Sequence, residues 1–140
     1  MSTALWVIYD YEVSMFYQML QFCTTEECRK FPPPVQNAIV ESMLLHLRIL
    51  VDILLSRGSS KDKDDIKLMH LLPSFTSPLI GQLKAAYGNS NGFGCPCWQL
   101  NKRLAHPTTI RSSAYSYDYL LRVLMPLVDP LLKEIAAARP

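Results

Sequence analysis

Glu41, Arg48 and Asp52 recur along a segment, Val35 to Arg57, that is otherwise apolar on nearly every side. On a helix the three fall in one narrow file, flanked by Leu44, Leu45 and Leu55, so the charges are expected to point inward. Arg48 and Asp52 have the i,i+4 spacing of a side-chain pair, and Glu41 can reach the same guanidinium from two turns away. Buried charge is costly without partners. The file is therefore either an internal ionic network that fixes helix register or part of a binding or catalytic site. His46 points elsewhere, about 160° from Arg48 around the axis.

A second group of reactive residues lies in the run Asn101-Lys102-Arg103-Leu104-Ala105-His106-Pro107-Thr108-Thr109-Ile110-Arg111. It sets an amide, a histidine and an arginine around a helix-to-helix junction. A histidine there can titrate near neutrality or donate to a carboxylate, and Arg111 can bind an anion or pair with Glu41 or Asp52. The competing role for His106 is to end the short helix and hydrogen-bond across a bundle. Inward charges need complementary groups, so at least one of Glu41, Arg48 and Asp52 is expected to approach Asn101, His106 or Arg111.

These two stretches carry a resemblance. Ala38-x-x-Glu41-x-x-Leu44-Leu45-His46-Leu47-Arg48-x-Leu50-x-x-x-Leu54, followed by Asn101-Lys102-x-x-Ala105-His106-x-Thr108-x-x-Arg111, resembles small bacterial helical-bundle proteins related to the HEPN superfamily. The resemblance implies an all-α fold, frequent dimerisation, and in the ribonuclease members metal-independent RNA cleavage through an Arg-x4–6-His motif. His106 matches that histidine, whereas the positions in register for the arginine hold Asn101, Leu100 and Gln99. Arg48 or Arg111 would have to serve in its place.

Two functions are expected on this footing. One is a HEPN-like binding or structural module with a buried polar centre, in which Glu41, Asp52, Asn101 and Lys102 bind. The other is a ribonuclease in which His106 moves a proton at the ribose 2′-hydroxyl and Arg48 or Arg111 stabilises phosphate charge. A homodimer is the expected partner, with RNA or a nucleotide as further candidates and with neither metal nor cofactor.

The elements that must position these residues are helical. Residues 3 to 22 read as a first helix, and Thr24 with Glu27 has capping-box spacing for a short turn before Pro32, Pro33 and Pro34. The second helix runs to about Arg57 and stops at Gly58. Residues 66 to 72 predict a turn, and Ser77 to Tyr87 a helix opening at Pro78. Gly88 to Gly94 form a loop, Pro96 to Ala105 a short helix, and Thr109 to Ala138 a last helix that should kink or break at Pro126 and Pro130. Strand alternation, repeats and a second domain are all absent, so residues 1–140 are expected to form one all-α domain, an up-and-down bundle of four or five helices.

Composition narrows the classes further. With 49% hydrophobic and 19% charged residues the chain is globular rather than disordered. A net charge of only +2 gives no footprint of a dedicated DNA-binding domain, leaving Lys102, Arg103 and Arg111 as the one basic cluster near a histidine. Asp10 and Glu12 interrupt the apolar N-terminal stretch and no basic region precedes it, so neither secretion nor a membrane span is expected and the cytoplasm follows. Cys23, Cys28, Cys95 and Cys97 lack zinc-ribbon spacing and read as ordinary thiols. G-x-S-x-G, P-loop and H-E-x-x-H motifs are missing, which leaves the α/β-hydrolase, P-loop and zincin classes without local support.

Overall fold

A computed structural model describes residues 2–58, 65–105 and 117–140, and within them the chain is all-α, with no strand. It divides into two compact units, Met1–Lys67 and Leu68–Pro140. The first holds α1 (Ser2–Cys23), α2 (Glu26–Arg29) and α3 (Pro33–Leu54). The second holds α4 (Leu68–Leu71), α5 (Pro78–Tyr87), α6 (Pro96–Leu100) and α7 (Asp118–Ala138).

In the first unit α1 and α3 pack on each other. Trp6, Tyr9 and Phe16 on α1 and Leu44, Leu47, Leu50, Val51 and Leu54 on α3 are buried. Their spacings of three and four residues draw one apolar stripe down each helix. The capping residue of α2 is Thr25, whose hydroxyl accepts from the Cys28 amide at 3.3 Å. Thr24, expected in that place, instead donates to the Gln21 carbonyl at the end of α1.

Helix α3 ends before the expected glycine. Ser56 takes a left-handed conformation (φ 51°), the Ser56 amide donates to the Ile53 carbonyl, and the Arg57 amide reaches back to the Asp52 carbonyl at 2.9 Å. This is a Schellman stop with serine where glycine is usual. It folds Arg57 and Gly58 back over the last turn of α3, beside Asp52.

In the second unit α5 packs on α7 and on α6. Ser77 accepts from the Leu79 amide and Pro78 opens α5, as predicted. The short helix expected over Pro96–Ala105 is α-helical only to Leu100 and continues as a π-type turn over Asn101–Ala105. The expected opening of the last helix at Thr109 falls outside the described residues. From Asp118 to Ala138 α7 is unbroken, so neither Pro126 nor Pro130 breaks it. Each proline removes one backbone hydrogen bond, freeing the carbonyls of Arg122 and Pro126. Both of those residues are exposed, so water can serve the freed carbonyls. Leu120, Leu124, Val128, Leu131 and Ile135 meanwhile hold the opposite face in the core.

Gly88 ends α5 with φ 73° and ψ −151°, a region essentially reserved for glycine. A Cβ there would lie 2.7 Å from the Cys95 sulfur and 2.9 Å from its Cβ. Backbone strain and overlap act in the same direction. Gly88→Ala is expected to destabilise the chain by about 1–3 kcal/mol, measurable by urea denaturation, whereas Gly81→Ala, where a Cβ meets nothing within 4 Å, should not.

Candidate functional site

The charged file of α3 does not face the core. Glu41 is exposed, and Arg48 and Asp52 are half-buried. Around the helix axis the file lies roughly 110–150° from the line of Leu47 and Leu54, and that line is the one the fold buries completely. The expectation that all three charges point inward is therefore corrected for Glu41. Asn101 and Lys102 are half-buried in the second unit, and Arg103 beside them is buried, its Nε donating to Gln99 Oε1 at 3.0 Å. His106 and Arg111 lie outside the described residues.

The buried polar pair belongs to other residues. His46 Nδ1 lies 2.6 Å from Glu12 Oε2, and each side chain is only 11% exposed. The Tyr11 ring meets the imidazole edge-on at 5.8 Å. Glu12 sits three residues after Tyr9 and four before Phe16, on the apolar stripe of α1, which is the sequence signal that could have found it. As α1 runs from Ile8 to Glu12 its neighbours on α3 run from Asp52 back to His46, so the helices are antiparallel. The pair fixes their register, since a slide of one turn would leave a carboxylate buried without its partner.

One turn further along, the first unit opens into a groove of about 380 Å³ lined by Ile8, Ile49, Asp52, Ile53, Arg57, Gly58, Asp65 and Ile66. Its polar groups are placed by the Schellman stop of α3 and by the close approach of Gly58 to Asp65, where a Cβ would come within 2.5 Å of Asp65 Oδ2. The Lys67 ammonium lies 3.5 Å from the Gly58 carbonyl. Burial among the isoleucines pushes the Asp52 carboxyl above its ordinary range. Arg48 and Arg57 oppose that shift, and Asp65 adds to it.

A carboxyl whose folded pKa is raised favours the protonated form, so its contribution to stability is full below the unfolded pKa and is lost as pH rises through the folded one. At neutral pH Asp52 is thus a local cost to the fold. Asp52→Asn is expected to stabilise the protein there only modestly, by under about 1 kcal/mol, because solvent reaches the half-buried carboxyl and screens its charge. The difference should close as pH falls through the carboxylate range, and equal stabilisation at all pH values in thermal melts would contradict it.

Other chemistries find less. Burial and the neighbouring Cys28 push the Cys23 thiol up, the opposite of activation for nucleophilic attack. Among the described residues no three His, Cys, Asp or Glu side chains gather as a metal site, and no helix is long and apolar enough to cross a membrane. Comparison of the chain with family models, with curated proteins and with solved structures gave no match.

Proposed function

We propose that the chain is a helical binding module whose Asp52 groove receives a basic group on an apolar stem, such as a lysine or arginine side chain of a partner or an alkylamine. The observation that supports it is a carboxyl held against four isoleucines at a cost to the fold. A long aliphatic chain ending in an ammonium or guanidinium satisfies both halves of such a surface, its methylenes lying on the isoleucines and its head pairing with Asp52 and Asp65. The volume is that of a small-ligand site. Residues 1–67 also carry nine Asp and Glu against seven Lys and Arg, a balance that favours approach of a cation.

In this reading the HEPN resemblance is one of scaffold. Val7 and Tyr11 leave apolar area exposed on α1 away from the groove, and a homodimer through it belongs to the same proposal, with sedimentation velocity as its measure. The test of the groove is NMR-monitored titration with alkylguanidines and with arginine-containing peptides. Shifts confined to groove residues and lost in Asp52→Asn are the expected result. No binding, or binding unaffected by Asp52→Asn, would overturn the proposal. Chelator-resistant RNA cleavage that disappears in His106→Ala would replace it with the ribonuclease function.

A further inference from the structure

The second unit presents an aromatic step of a different kind. Phe93 is 86% exposed, the most exposed large apolar side chain described, yet the loop that carries it is built rather than loose. The Gly92 amide donates to the Asn89 carbonyl and the Cys95 amide to the Gly92 carbonyl, both at 3.1 Å. The Asn91 amide donates to Asn89 Oδ1, and the Cys95 thiol donates to the Asn89 carbonyl. Gly88 supplies the conformation that lets the Cys95 sulfur approach. These bonds fix Phe93 against Trp98, with ring centroids 4.7 Å apart and planes tilted by 57°. An aromatic ring held in solvent by an ordered loop does nothing for the core and is pre-organised for a ligand.

Charge indicates the ligand's chemistry. The fifty residues from Leu68 to Tyr117, which include this loop, contain no Asp or Glu, against Lys84, Lys102, Arg103 and Arg111. Over the whole second unit seven Lys and Arg face three Asp and Glu. The near-neutral total of the chain conceals this partition. A ligand that offers flat π faces and regular negative charge fits both observations. A protein partner would want apolar surroundings for the anchor, but the loop beside Phe93 consists of glycine and the exposed polar residues Asn89, Ser90 and Asn91. Stacking needs only the open face of the ring.

We infer that Phe93, backed by Trp98, is a stacking platform for a base of single-stranded nucleic acid, with Lys102, one turn after Trp98, among the residues that attract the phosphates. This rests on unit 2 alone and does not depend on the Asp52 groove. It is tested on the full chain by fluorescence anisotropy with labelled oligouridylate and oligothymidylate, at about 50 and about 200 mM salt. Binding should weaken with salt, and Phe93→Ala should weaken it roughly 5- to 100-fold, the range for loss of one stacked base. Phe93→Tyr keeps the π face and should bind like wild type, whereas Phe93→Leu keeps only apolarity and should behave like alanine. The exposure of the ring makes all three variants compatible with folding, which circular dichroism checks. Absence of binding at the lower salt, wild-type binding by Phe93→Ala or Phe93→Leu, or equal capture of polyglutamate regardless of residue 93 would each overturn the inference, the last by showing charge attraction alone.

Discussion

Glu12→Leu is expected to destabilise the chain by about 1–3 kcal/mol, the usual loss when one partner of a buried hydrogen bond is removed and the other is left unsatisfied. The contrast with an exposed ion pair of the molecule sets the scale. Lys30 and Glu27 approach to 2.7 Å, but their side chains are 68% and 69% exposed, and such pairs contribute about 0–1 kcal/mol. Glu12 and His46 are as close and sit between two packed helices. Water cannot replace a missing partner there. The double variant Glu12→Leu with His46→Leu should recover most of the loss, because replacing both partners by apolar side chains leaves no buried polar group unpaired. Urea denaturation of the four proteins closes the cycle. A coupling indistinguishable from that of Glu27 and Lys30 would show that the pair does not hold α1 on α3.

Local signals in the sequence located most helices, because proline at a first turn and serine before it act through the nearest few backbone groups. Ser77, Pro78 and Pro96 are such cases. The stop of α3 was less legible, since Ser56 adopts a left-handed conformation that glycine usually takes and nothing in its type announces it. Orientation was harder still. Helical spacing placed Glu41, Arg48 and Asp52 on one file, but which file is buried depends on the whole apolar pattern, and the line of Leu47, Leu50, Val51 and Leu54 prevails. Asp52 reached a groove through the chain reversal at Arg57 and Gly58, a tertiary feature. Glu12 and His46 are 34 residues apart, and only the packing of α1 on α3 brings them together.

Pro126→Ala is expected to stabilise the second unit by about 2 kcal/mol. Proline in a helix interior costs about 3 kcal/mol relative to alanine, through the lost hydrogen bond and the clash with the preceding turn. Alanine also makes the unfolded chain more flexible, which returns about 0.4–1 kcal/mol of that gain. The helix effect is larger, so the sign is settled. Pro126 is exposed on α7, and replacing its ring opens no cavity. Pro130 is half-buried, so Pro130→Ala restores a hydrogen bond to the Pro126 carbonyl but loses packing, and its gain should be smaller. The midpoint of thermal unfolding should rise by roughly 4–8 °C for Pro126→Ala, and the new amide at position 126 should be protected from hydrogen exchange by the Arg122 carbonyl. Unchanged stability with an unprotected amide would mean that α7 is already bent open at this turn, and that the core face from Leu120 to Ile135 holds the helix without needing the missing bond.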